Sequence, residues 1–337
     1  MNFPLKKTNL NFTSNNFNLK LLIIRFSSIG DIVLTTPVIR CCKEQLANSE
    51  IHVVSKKSFA DLLINNPHID KVHTFEKSIG ELIIQLKKEN FDFVVDLHNN
   101  IRSISLKRKL NKPSAAFNKL NIKKFLFVQF KLNRLPDIHI VDRYFDAVES
   151  LNIKNDGKGL DYFIPKKDEL ILEEILPITF QNGYHTLVLG GSYFTKQIPE
   201  NKLKEIIVMC NLPLVLLGGK EELELGNKLA QAYPQKVFNA CGKFNLNQSA
   251  FLIKQAQKVI TSDTGLMHIA AAFKKEIHSL WGNTVKEFGM YPYLADSKSK
   301  IHEVKNLSCR PCSKLGFHKC PKGHFKCMND IDVRSIF

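Results

Sequence analysis

Apolar residues along this chain gather into short runs, separated by longer stretches in which they recur every three or four positions. Lys20–Arg25, Ile51–Ser55, Phe91–Leu97, Thr186–Leu189, Leu214–Leu217, Val259–Thr261 and Ile277–Leu280 are rich in Val, Ile, Leu and Phe and are bounded by turn residues. That is the pattern of strands covered on both faces in a parallel sheet. Between them, Ile32–Leu46, Leu82–Asn90, Asn201–Cys210 and Glu221–Tyr233 carry apolar side chains at helical spacing. Strand and helix alternate in this way twice, which predicts an α/β fold of two doubly wound domains. The alternation breaks over Asn152–Tyr184, where Gly157, Gly159, Pro165, Pro177 and Gly183 surround one short charged helix. The expected division is a tail over 1–18, a domain over 19–165, a linker over 166–184 and a second domain over 185–337. Ligands of open α/β sheets sit at the carboxyl ends of the strands, so two such domains facing each other would hold a substrate in a cleft. No repeat of about 20–50 residues is visible.

Length and composition narrow the class. The chain has 337 residues, enough for two α/β domains of ordinary size, and 44% of them are hydrophobic, as in globular proteins. No apolar run approaches the ~18 residues of a membrane span, since even Leu19–Phe26 is broken by Lys20 and Arg25. The first residues are rich in Asn and lack the apolar core of a signal peptide, so a cytoplasmic location is expected. Eight cysteines in a reducing compartment suggest thiols or a metal before disulfides. The formal charge of +16 points to an anionic partner.

Candidate chemistry lies where strands end. In Arg25-Phe26-Ser27-Ser28-Ile29-Gly30-Asp31-Ile32 a buried strand gives way to a small, glycine-bearing turn and then a helix. Asp31 at that helix start is either a cap or a general base facing a hydroxyl. In Thr261-Ser262-Asp263-Thr264-Gly265-Leu266-Met267-His268 a second strand opens into a helix through small residues. Unpaired N–H groups and the dipole at such a start suit a diphosphate, although a plain capped turn has the same sequence. His268, one turn in, reads as a hydrogen-bonder or a site residue. The loop Gly190-Gly191-Ser192-Tyr193-Phe194-Thr195-Lys196 offers hydroxyls and one cation, and Gly218-Gly219-Lys220-Glu221-Glu222 offers a carboxylate for ribose hydroxyls.

With these motifs the chain resembles the family 9 glycosyltransferases, the heptosyltransferases that build the inner core of bacterial lipopolysaccharide. The resemblance rests on Ser27-Ser28-Ile29-Gly30-Asp31, on Ser262-Asp263-Thr264-Gly265-Leu266-Met267-His268, and on their order in a two-domain chain; it covers roughly Leu19 to Asp332. It implies a GT-B fold of two Rossmann-like domains, an ADP-heptose donor held mainly by the C-terminal one, and transfer with inversion. Position by position, it implies that Asp31 is the base and that Thr264, Gly265 and Leu266 bind the donor diphosphate through their backbone. Asp263 and His268 would flank the sugar and phosphates, and Lys196 would meet the phosphate or the charge of the leaving group. Glu222, or its neighbour Glu221, would take the ribose, and Ser192 and Thr195 would offer hydroxyls to the diphosphate. The loop departs from the family in the bulky pair Tyr193-Phe194. With the helix dipole and Lys196 in place of a divalent metal, no cofactor is expected for catalysis.

Ile101–Leu135 holds ten basic residues and no acidic one, with Phe117, Phe125, Phe127 and Phe130 interleaved. A solvated face, a nucleic-acid surface and a surface for anionic lipid all fit such a run. The resemblance favours the last, on the cytoplasmic side of the inner membrane, where a lipid-anchored lipopolysaccharide core is the acceptor. Ser28, Gly30, His98, Arg102, Lys107 and Arg108 are accordingly expected on the acceptor side, with a structural role equally open for His98 and Arg102. Near the C-terminus, Cys309-Arg310-Pro311-Cys312, Cys320 and Cys327 are compatible with structural zinc or with reduced thiols that pack. Cys41, Cys42, Cys210 and Cys241 are expected to pack. Two other readings stay open. One is a family relative using another nucleotide sugar or glycan acceptor. The other is a zinc-containing basic nucleic-acid-binding protein.

Overall fold

The computed structural model describes residues 18–337, so the expected tail lies outside the described residues except for its last position. Two compact units emerge. The first takes in residues up to Ser27, then Thr35–Lys119 and Val141–Gly157; the second takes in Ser28–Leu34, Leu120–Ile140 and Lys158–Phe337. The division therefore interleaves along the chain instead of falling at one linker. Three pieces of the expected first domain, Ser28–Leu34, Leu120–Ile140 and residues 158–165, cluster with the second unit.

The first unit carries a parallel sheet of β1 (Lys20–Ile24), β2 (Glu50–Lys56), β3 (Lys71–Phe75), β4 (Phe93–Asp96) and β5 (Ser114–Ala116), in the order β3-β2-β1-β4-β5. The second carries β6 (His185–Val188), β7 (Leu214–Leu217), β8 (Val237–Asn239), β9 (Lys258–Ser262), β10 (Glu276–Trp281) and β11 (Lys300–Glu303), in the order β11-β10-β9-β6-β7-β8, again all parallel. Central strands such as β4, β6 and β7 are buried at every position, which is why their sequences read as unbroken apolar runs. The strand order reverses between β1 and β4 and between β6 and β9, and loops that follow strands at such a point open a crevice.

The expected Ile32–Leu46 helix is two helices, Ile29–Val33 and Thr36–Gln45, because Pro37 cannot continue the first and starts the second. Residues Phe325, Cys327, Met328, Ile331, Val333 and Ile336 pack into the core of the second sheet beside Leu187, Leu216, Ile260 and Leu280, so the C-terminal segment is structural. Cys41, Cys42, Cys210 and Cys241 are buried, as expected of packing thiols.

The sheets share a motif that no period of a few tens of residues would reveal. Lys20 on β1 stands opposite Glu50 in Glu50-Ile51-His52 on β2, and His52 stands opposite Lys71 in Lys71-Val72-His73 on β3. In the second sheet Lys258 on β9, Glu276-Ile277-His278 on β10 and Lys300-Ile301-His302 on β11 hold the same register. His52 Nδ1 and His73 Nε2 are 3.0 Å apart, and His278 Nδ1 and His302 Nε2 2.9 Å. His52 Nε2 lies 2.6 Å from Glu50 Oε1, and His278 Nε2 3.0 Å from Glu276 Oε1. Lys20–Glu50 and Lys258–Glu276 are each 3.1 Å. His52, His73 and Glu89 also place ligand atoms within 4.8 Å of one another, but Lys20 and Lys71 are already paired with Glu89, and cations there oppose a metal.

These imidazoles make stability depend on pH. Burial, the largest cause, pushes His73 and His302 down to about 4. The unfolded chain then binds more protons than the folded one between the ordinary histidine value of about 6.5 and about 4, so stability falls as acid is added through that window. Urea midpoints should drop steadily from pH 7 to pH 4.5, and His302→Gln should flatten the slope. A midpoint flat over that range would remove the buried neutral imidazoles from the account.

Candidate functional site

Two glycines bring the motifs together inside the second unit. A Cβ on Gly30 would stand 2.5 Å from His268 Cδ2 and 3.3 Å from Gly265 Cα, and a Cβ on Gly265 would stand 2.7 Å from Ile29 Cγ2. Only hydrogen at both positions lets the Ile29–Val33 helix lie against the start of the Gly265–Ala272 helix. Asp31 is thereby set beside the second motif. Its Oδ2 accepts from the Ser28 hydroxyl at 2.7 Å and the Ser28 N–H at 3.3 Å. The capping and base readings are thus compatible, because a carboxylate held by two donors is aimed as well as capped.

Thr264 is the extended N-cap of the Gly265–Ala272 helix, whose first N–H groups point away from the chain. Asp263, just before it, accepts from Lys196 Nζ at 2.6 Å and from the Thr284 hydroxyl at 2.9 Å. Below lies His268, 2% exposed. Burial pushes its pKa down to about 4, against the pull of Asp263 and Asp31 and with a push from Lys196. A neutral imidazole therefore sits at the meeting point of the carboxylate, the ion pair and the helix start.

A cavity of about 380 Å³ opens over this helix start. Gly190, Gly191, Gly218 and Gly219 line it with bare backbone, Val188, Phe244 and Leu246 give it an apolar wall, and Ile29, Ser192, Glu221, Glu222, Ser249, Thr264, Gly265 and Leu266 complete it. Glu222 is fixed by the Gly219 N–H, which donates to its Oε2 at 2.7 Å, and the carboxylate lies against Gly190. An apolar wall, a fixed carboxylate and a helix N-terminus in sequence match a nucleobase, a ribose and a diphosphate. Phe244 and Leu246 were invisible to the sequence reading, which followed glycines and charges.

Other expected residues stand elsewhere. Thr195 is 1% exposed, and its hydroxyl accepts the Phe317 N–H at 2.8 Å, so its side chain is engaged by backbone away from the cavity lining. His268 likewise supports the site from below, with Gly30 seated on it. In the first unit, Lys107 lies 3.0 Å from the buried Asp96, whose Oδ1 takes the N–H groups of His98 and Asn99 at 3.0 and 2.7 Å. Lys107 is therefore a counter-ion of the turn after β4. His98 is buried against Phe26, while Arg102 and Arg108 are exposed.

In the second unit, the Asn121–Phe130 helix buries none of its residues. Ile122 is 77%, Phe125 57% and Phe130 62% exposed. Phe127 meets the ring of Phe288 at 6.0 Å, and Lys124 lies over that ring. Among the cysteines, Cys309, Cys312 and Cys320 are half-buried and Cys327 is buried. Burial, and behind it the neighbouring cysteines, raises the Cys312 thiol and pushes that of Cys327 up to about 12. Among the described residues, the group gathered at metal distance is His52, His73 and Glu89. The chain also contains Asp330-Ile331-Asp332, an Asp-x-Asp sequence; it belongs to the C-terminal turn, where Asp332 pairs with Arg334 at 2.8 Å.

Fold and site together define a two-unit parallel α/β protein with a glycine-lined cavity at the switch point of its second sheet. Comparison with known proteins sharpens this. The family model for glycosyltransferase family 9 (heptosyltransferase) matches residues 79–318. Lipopolysaccharide heptosyltransferase 1 of Campylobacter coli is 27% identical over 324 residues, covering 86% of this chain and 92% of that protein. Among solved structures, a family 9 glycosyl transferase from Veillonella parvula superposes with a TM-score of 0.69 at 23% identity, covering 86% of this chain and 87% of that one. The ADP-heptose LPS heptosyltransferase II of E. coli gives 0.68 at 18% identity, covering 93% and 98%. The chain belongs to glycosyltransferase family 9, and its fold is GT-B.

Proposed function

We propose that this protein transfers a heptose from ADP-heptose to the lipid A–Kdo inner core of lipopolysaccharide, with inversion at the anomeric carbon. The observation that carries the reading is the Gly30–Gly265 contact, which joins the carboxylate of Asp31 to the helix start that would hold a diphosphate. Adenine lies along Phe244 and Leu246, the ribose hydroxyls donate to Glu222, and the diphosphate rests on the N–H groups of Thr264, Gly265 and Leu266. The acceptor oxygen attacks the anomeric carbon as its proton passes to Asp31. The bond from that carbon to the phosphate oxygen breaks, and ADP leaves with the electron pair. Lys196 and the helix start meet the charge that grows on the leaving oxygen, where a fixed donor stabilises the transition state more than the ground state. The relatives' names support the donor and the acceptor.

ADP and ADP-heptose should each raise the melting temperature by several degrees at about one hundred times their Kd. UDP- and GDP-sugars should do so less. No shift with any adenine nucleotide would overturn the donor assignment.

The acceptor is anchored in lipid, and we place the enzyme on the cytoplasmic face of the inner membrane. No helix of the described residues is long and apolar enough to cross a membrane. The Asn121–Phe130 helix supports surface docking instead, with exposed Ile122, Phe125 and Phe130 among lysines in a stretch free of acidic residues. The chain should sediment with vesicles containing phosphatidylglycerol and not with pure phosphatidylcholine, and Phe125→Ser with Phe130→Ser should weaken that binding about tenfold. Equal binding by the double variant would move the docking surface elsewhere. Structural zinc on Cys309, Cys312, Cys320 and Cys327 is decided by elemental analysis of the chelator-washed protein, where one equivalent establishes it and none removes it.

A further inference from the structure

The cysteine-bearing segment has a role in the site that its thiols do not explain. It meets the loop carrying Lys196 at each of the three residues before that lysine. Gly316 packs on Tyr193, where a Cβ would fall 2.6 Å from Tyr193 Cβ. The ring of Phe325 lies 5.0 Å from that of Phe194. The N–H of Thr195 donates to Phe317 O at 3.2 Å, while its hydroxyl accepts the Phe317 N–H. Arg310, between Cys309 and Cys312, reaches the other side of the same site. Its Nε donates to Gly282 O at 2.6 Å, one terminal nitrogen to Thr284 O at 2.8 Å and the other to Val304 O at 3.2 Å. Glu303 lies 2.7 Å from Arg310, whose own side chain is 7% exposed. A planar guanidinium spends its fixed fork on a turn of backbone, which a flexible ammonium cannot do. The turn it holds carries Thr284, the hydroxyl that donates to Asp263, and Asp263 in turn holds Lys196.

We propose that Arg310 is a positioning residue of the transfer reaction, acting through Thr284 and Asp263 to fix Lys196 against the leaving diphosphate. The cysteine-bearing segment is then a buttress of the donor site. The proposal rests on the transferase reading, since it takes Lys196 to serve the leaving group. Asp263 is gripped from two sides, by Lys196 and by Thr284, so freeing the turn lets the carboxylate and the ammonium rotate together. The diphosphate would still bind the helix start, whereas the cation would no longer stand where charge develops. The loss should fall on kcat and leave donor KM nearly unchanged.

The test is a double-mutant cycle on the full chain with ADP-heptose and lipid A–Kdo. Arg310→Gln and Thr284→Val should each lower kcat about tenfold with donor KM within about twofold, and Arg310→Lys should recover only part of the loss. In a Lys196→Ala background each should cost less than about twofold, because the group they act through is gone. Thr284→Val removes one hydroxyl with the shape retained, so it remains readable if Arg310→Gln folds poorly. Losses that multiply unchanged in the Lys196→Ala background would overturn the proposal, as would a rise in donor KM without a fall in kcat. The cycle can also be read without a donor, on the NMR resonance of Lys196 in reductively methylated protein. That resonance should move in both variants, and an unmoved one counts against the chain of contacts. A wild-type chain that ignored ADP would overturn the transferase reading alone and leave this coupling measurable.

Discussion

Asp31→Asn should lower turnover about a thousandfold while leaving the affinity for ADP within about twofold. Asparagine keeps the size of the side chain and an oxygen that can accept from the Ser28 hydroxyl and N–H, as Oδ2 of Asp31 does at 2.7 and 3.3 Å. The cap on the Ile29–Val33 helix therefore survives, and stability should change by under about 1 kcal/mol. What disappears is the capacity to take a proton as the acceptor oxygen attacks. Asp31 does not line the cavity that would hold the nucleotide, so calorimetry with ADP should give nearly the wild-type Kd. Turnover of the variant within tenfold of wild type would show that another group, or solvent, removes the proton. A large loss of ADP affinity would show instead that Asp31 belongs to donor binding.

Such a clean split is possible because the site depends on where strands end, and that was the most legible feature of the sequence. The apolar runs at β1, β4, β6, β7 and β9 are buried on both faces, so hydrophobicity alone located them and the loops that follow. β3, β5, β8 and β11 escaped notice because edge and near-edge strands are short or mix polar with apolar residues. Lys71-Val72-His73-Thr74-Phe75 becomes a strand only by pairing with β2. The assignment of Ser28–Leu34 to the second unit was beyond sequence reasoning too. Nothing in a chain that has just left β1 announces that it will pack on a helix more than two hundred residues away. Gly30 stood out as the glycine of its turn and His268 as a hydrogen-bonder or site residue, but nothing in the sequence pairs the two. Thr195 and Lys107 show one limit of the sequence: a hydroxyl and a cation near strand ends read as ligands for a substrate, while in the fold Phe317 and Asp96 engage them. Arg310 was hidden by the cysteines beside it, which drew the reading toward metal.

The Gly30–Gly265 contact makes the strongest demand on sequence, and Gly30→Ala tests it. The added methyl would fall 2.5 Å from His268 Cδ2, closer than carbon atoms approach without displacement. His268 is buried, so either the imidazole leaves its place or the Ile29–Val33 helix lifts from the Gly265–Ala272 helix. Overpacking of this kind costs about 1–3 kcal/mol. Lifting the helix also carries Asp31 away from the diphosphate loop, and a displacement near 1 Å can cost about a hundredfold in rate. The expected result is a lower urea midpoint together with a large fall in kcat, in contrast to Asp31→Asn, which should lower kcat alone. His268→Ala supplies the control, because it removes the ring that the methyl strikes. Gly30→Ala should cost clearly less stability in that background than in the wild type, so the two substitutions should be strongly non-additive. Additive costs would mean that Gly30 and His268 do not press on one another, and the joint that sets Asp31 beside the donor site would have to be sought in other residues of the two helices.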